Sequence, residues 1–191
     1  MTMLVVMRKE HSLARHLLQA WQDAATRQGV TLLAPANLPG DLKGRVQNTE
    51  AAVASWERFN MRKVEYRVVL GYSLSTSLAI EQAVSTPDMW AGLALTPTWE
   101  IEPSLKSALG ALKGMQVLLL YSEQHRGDLA KAKNAQRDFE AAGSVVHIHA
   151  LKEGGNMQTT YHNGDVIMAW VREITRAKKQ QASSTTRPAG P

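Results

Sequence analysis

Short apolar runs and helical repeats alternate along this chain. Met3 to Met7 is an unbroken apolar run and predicts a strand. From His11 to Gln28, the residues Leu13, Leu17, Trp21 and Ala24 fall on one stripe, so the segment predicts a helix, with Gly29 as its stop. Val30 to Ala34 predicts the next strand, closed by Pro35, and Asn37 to Gly44 reads as a Gly/Pro-rich loop. Val46 to Phe59 predicts a helix with Val53 and Trp56 facing inward. Tyr66 to Leu70, Ala91 to Leu95, Met115 to Tyr121 and Val145 to Leu151 predict four more strands. Helical patterns separate them at Leu74 to Val84, Ser104 to Leu112 and Leu129 to Ala142, the last with Asp128 as cap and Gly143 as stop. Asp165 to Lys178 predicts the final helix, with Val166, Ile167, Trp170, Val171 and Ile174 on one face.

Six βα units in a row imply a three-layer α/β/α sandwich around a mainly parallel sheet of about six strands. The strands are near-continuous apolar runs, as expected when both faces of a sheet are covered. Right-handed crossovers place the carboxyl ends of all the strands on one edge, where ligands of such folds bind.

Composition narrows the class. A length of 191 residues suits one domain, taken here as residues 1–178 followed by a flexible Ser/Thr/Gln/Pro-rich tail at 179–191. There is no cysteine, which excludes disulfides and thiolate metal sites. No apolar run approaches the length of a membrane span, and charged residues follow the first apolar run rather than precede it, unlike a signal peptide. The expected location is the cytoplasm. The net charge of +5 includes Arg172, Arg176, Lys178, Lys179 and Arg187 near the end of the chain. Cations there complement a helix dipole, and the aromatics are too scattered for a stacking surface, so neither nucleic acid nor membrane is expected as a partner. His147 and His149 alternate along one strand and share a face. No third ligand accompanies them, so neither a metal nor a cofactor is expected.

The chemistry concentrates in Val68-Val69-Leu70-Gly71-Tyr72-Ser73-Leu74-Ser75, where an apolar run ends in Gly-x-Ser-x-Ser and an Ala-rich helical pattern follows at once. Strand, sharp turn carrying a serine, then helix is the order that a nucleophile elbow needs. Small residues must flank the serine, and Gly71 meets that demand fully while Ser75 meets it in part. With the runs Thr86 to Leu95, Val117 to Tyr121 and Phe139 to Val146, this stretch resembles the α/β-hydrolase superfamily over residues 3 to 177, nearest the compact esterase, phospholipase and depolymerase branch. That family opens with an antiparallel hairpin, whereas this chain begins at the strand that would follow it.

The resemblance implies Ser73 as a nucleophile on an ester or amide carbonyl, and the Leu74 N–H as one oxyanion-hole donor. It also implies a degenerate triad. The family's Gly-His has become Gly155-Asn156, which leaves His162, six residues on, as the candidate base. Where the family places its acid this chain has His125, which leaves Asp128 as the candidate orienting carboxylate and His125 as a base from an unusual loop. The loop expected to give the second oxyanion donor reads Arg8-Lys9-Glu10-His11 and has no glycine. Tyr72, and Trp99 in the Thr96-Pro-Thr-Trp-Glu100 loop, are the candidate substrate-binding residues, with Trp99 as an apolar wall.

Two readings stand side by side. One is a serine esterase acting on a small acyl ester. The other is a catalytically inactive hydrolase-like protein that binds a ligand or protein partner at the former active-site edge. A flavodoxin-like binding domain is a third, weaker one, disfavoured by the lack of a Gly-rich phosphate loop after the first strand. An exposed sheet edge leaves a homodimer open.

Overall fold

The structure, a computed structural model, describes residues 1–7, 11–35, 40–96, 101–151 and 164–185. Six strands make one all-parallel sheet: β1 (Thr2–Met7), β2 (Val30–Leu33), β3 (Tyr66–Tyr72), β4 (Gly92–Thr96), β5 (Gln116–Ser122) and β6 (Val145–Leu151). Their spatial order is β2-β1-β3-β4-β5-β6. The helices are α1 (His11–Gln28), α2 (Leu42–Asn60), α3 (Thr76–Ser85), α4 (Pro103–Lys106), α5 (Asp128–Ala141) and α6 (Gly164–Thr185).

Strand side chains alternate between two cores, as a pleated backbone requires. Met3, Val5, Met7, Val69, Leu93, Leu95, Val117 and Leu119 face the core built with Val53 of α2, Ala79 and Ile80 of α3 and Phe139 of α5. Leu4, Val6, Val68, Leu70, Leu118 and Leu120 face the core built with Leu17 and Trp21 of α1 and Ile167, Trp170 and Val171 of α6. The expected three layers are therefore present, α2, α3 and α5 against α1 and α6.

Two glycines let α6 and its neighbours close on the sheet. A Cβ on Gly92 would lie 2.6 Å from Ile174 Cδ1, and one on Gly164 would lie 2.6 Å from Trp21 Cδ1. Only a hydrogen fits at either position, so these helices pack closer to β4 and to α1 than any larger residue allows.

Several element ends differ from the sequence expectation, each for a local reason. The helix expected over Leu74 to Val84 is split: a 3-10 turn, Ser73–Ser75, precedes α3. The short helix expected at Ser104 to Leu112 is likewise α4 followed by a separate 3-10 turn, Leu109–Leu112. α2 starts earlier than expected because Asp41 caps it, its carboxylate accepting from Gly44 N at 2.7 Å. Asp128 is not the cap of α5 but its first residue. The cap position is Gly127, at φ 97°, and no side chain caps that end. α6 runs to Thr185, seven residues past the expected stop at Lys178. The strand expectation of continuous burial fails at the two edge strands: β2 is only partly buried after Val30, and β6 exposes Val145, His147 and His149.

Candidate functional site

The sheet order reverses direction beside β3. The chain passes outward from β1 to β2, then returns across β1 to β3 on its other side. The carboxyl ends of β1 and β3 therefore flank a topological switch point, the crevice where open parallel sheets bind ligands. Met7 is registered with Gly71, so β1 ends one residue short of the Tyr72–Ser73 step.

At that step the backbone turns sharply. Tyr72 is extended, at φ −106° and ψ 124°. Ser73 follows at φ 52°, in the left-handed region that only Gly enters without cost. Its carbonyl accepts from Thr76 N, closing the 3-10 turn into α3. Among the described residues, Ser73 and Met61 are the only non-glycine residues at positive φ. Holding a serine there costs on the order of 1–3 kcal/mol, strain of the kind that gathers at functional sites.

Gly71 makes the turn feasible. A Cβ there would stand 2.7 Å from Thr76 Cα and 2.9 Å from Ala79 Cβ, so β3 and the start of α3 touch through a bare α-carbon. Ser75 carries no such demand. It is buried at φ −99°, ψ 8°, which an ordinary residue adopts, so the partial match to a second glycine is no defect at the backbone. Leu74 lies within the 3-10 turn at the head of α3, where backbone N–H groups have no intrahelical acceptor. Tyr72 is buried with its ring in the α1/α6 core, on the opposite face of the sheet from Gly71 and α3.

The neighbouring strands bring further groups to the same edge. Thr96 ends β4, registered with Tyr72, and is fully buried. Its hydroxyl has no hydrogen-bond partner among the described residues. The sequence expectation put Thr96 at the start of the loop lining the site, whereas it is the last residue of β4. β5 lies two strands from β3, about 10 Å away at the backbone. Beyond Ser122, the Ser122 hydroxyl accepts from Gln124 N at 3.3 Å, and the His125 carbonyl accepts from Asp128 N at 3.1 Å. His125 and Asp128 therefore belong to one tight turn. His125 is half-buried, and its Nε2 is buried with no partner among the described residues. The Asp128 carboxylate makes no capping bond to α5.

His162, Asn156, Trp99 and the stretch 8–10 lie outside the described residues. His147 and His149 do not belong to the site. They point from the open face of β6, and His147 Nε2 lies 3.0 Å from Gln116 Oε1. Among the described residues no group of three or more His, Cys, Asp or Glu side chains is placed to hold a metal ion. Nor is any described helix long and apolar enough to cross a membrane.

No protein-family model matches the sequence, and no curated protein does. Solved structures do match. An alpha-beta hydrolase from Vibrio vulnificus superposes with a TM-score of 0.61 at 17% identity, over 88% of this chain and 72% of the other. A carboxylesterase from Mesorhizobium loti gives 0.62 at 12% identity, over 89% and 88%. A dienelactone hydrolase from Anabaena variabilis gives 0.61 at 11%, over 88% and 84%. Likeness at these identities shows the fold, and the fold is that of the α/β-hydrolases.

Proposed function

We propose that this α/β-hydrolase-fold protein is a serine esterase that cleaves small acyl esters through Ser73. One observation carries the reading: Ser73 occupies a strained left-handed conformation between β3 and α3, at the switch point of the sheet. A serine that merely capped a helix would have no use for that conformation. Hydrolases of this fold among the structural neighbours fit the same reading.

In the proposed reaction Ser73 Oγ attacks the ester carbonyl carbon. A histidine takes the hydroxyl proton and returns it to the leaving alcohol. Water then releases the acid from the acyl-serine by the same route in reverse order. The Leu74 N–H stabilises the oxyanion of both tetrahedral intermediates. His162 is the proposed base and Asp128 its orienting carboxylate, with Trp99 as an apolar wall beside the acyl group. That the Asp128 carboxylate is not used in capping α5 supports its role. The buried, unpartnered Nε2 of His125 favours a second assignment of the base, from the β5–α5 turn itself.

Variant kinetics on p-nitrophenyl acetate separate the assignments. Ser73→Ala is expected to remove turnover. If His162 is the base, His162→Ala lowers kcat by about 10³ or more while His125→Ala changes it little. The reverse order assigns His125. Turnover by the Ser73→Ala protein equal to wild type contradicts the esterase reading and leaves ligand binding at this edge.

A further inference from the structure

A second strained residue lies at the opposite end of the sheet. α2 ends at Asn60, and Met61 takes the left-handed conformation that closes it, at φ 49°. Glycine is the usual residue at such a cap because it enters that region freely. Here a methionine holds it, and its side chain is 92% exposed. Phe59, two residues earlier, is 88% exposed. The fold gains nothing from either side chain: both stand in water, and one is strained.

Cations surround them. Arg58, Arg62 and Lys63 flank the two apolar side chains in sequence and line, with Met61, a shallow depression of about 390 Å³. Among the described residues Arg58 and Arg62 form no ion pair. The nearby acids are already engaged. The Glu57 carboxylate accepts from Val64 N at 2.8 Å and from Lys63 Nζ at 3.3 Å. Glu65 lies 3.4 Å from the terminal amine of Met1. Thr175 of α6 bonds Thr2 at the start of β1, so the last turns of α6 leave the body at this same edge. They carry Arg176, Lys178 and Lys179, and among the described residues α6 buries none from 176 to 184.

We propose that this α2–β3 corner docks on an anionic phospholipid surface, with Phe59 and Met61 entering the headgroup region and Arg58, Arg62 and Lys63 meeting lipid phosphates. Charge complementarity selects the occupant. Binding of this kind adds apolar burial to attraction by anionic lipid, and each cation near the surface contributes independently. Two exposed apolar side chains among cations enter a soft interface, whereas a folded protein partner would have to offer two matching pockets. Spanning a bilayer is a different requirement, and no described helix meets it. The corner precedes β3 and Ser73 follows it, so the docked protein turns the Ser73 edge toward water.

Sedimentation with vesicles tests this on the full chain. Wild type is expected to bind vesicles of equal phosphatidylcholine and phosphatidylserine at least about tenfold more tightly than pure phosphatidylcholine, and to detach as salt is raised. Phe59→Ser with Met61→Ser, and separately Arg58→Glu with Arg62→Glu, are each expected to weaken binding by about tenfold or more. Met61→Gly separates binding from folding: it is expected to melt at or above the wild-type temperature and still bind more weakly. Equal binding to both vesicle types, or an unchanged Phe59→Ser/Met61→Ser variant, overturns the proposal. So does binding to polyglutamate without binding to the mixed vesicles, which assigns the corner to an acidic protein.

Discussion

Ser73 and Gly71 act as a pair, one bearing strain and the other making room for it. The room is small, since a Cβ at Gly71 would press on the backbone of Thr76 rather than on a flexible side chain. Gly71→Ala is therefore expected to cost about 1–3 kcal/mol of stability, measured by urea unfolding. It should also lower esterase turnover by about 10² by shifting the serine. The importance of Gly71 was legible in the sequence because the turn demands it. The tolerance of Ser75 was not. A pattern compares residue types, whereas the backbone at Ser75 sits in a region open to any residue. Thr96 was legible as part of the site loop but not as the partner of Tyr72, since that place follows from strand register, which no local pattern specifies.

Helix ends show where local physics replaces periodicity. The apolar stripe located α2, α5 and α6, but their ends depend on Asp41, Gly127 and, for α6, on continued helical bonding after the buried face stops. The last turns of α6 bury nothing after Thr175, so ending the chain after Lys178 is expected to move the melting temperature by no more than about 2 °C. The end of α2 carries a pH dependence. The backbone N–H of Val64, and then Lys63, hold the Glu57 carboxyl below the ordinary carboxylate range. A depressed folded-state pKa stabilises above the unfolded value and is lost as pH falls through the folded one. Glu57→Gln is thus expected to be less stable than wild type at neutral pH. The two stabilities should converge in acid, below the ordinary carboxylate pKa, when both proteins are melted across the range.

For the molecule as a whole, the six βα units were legible because the four inner strands are buried on both faces and read as apolar runs. Strand order was not legible, because nothing in a run says which neighbour it takes. The observed order, β2-β1-β3-β4-β5-β6, extends the order of flavodoxin-like sheets by one strand, so topology alone does not choose the fold. The strained serine at the switch point and the likeness to solved hydrolases choose it. The same edge carries Ser73 just after β3, Thr96 at the end of β4, and His125 and Asp128 after β5. Whether that edge performs chemistry turns on one hydroxyl. The most direct measurement is to incubate the folded protein with a fluorophosphonate across pH 6–9 and locate the adduct by peptide mass. The account predicts one adduct, on Ser73, absent from Ser73→Ala. An unlabelled Ser73 in a protein shown to be folded would contradict it.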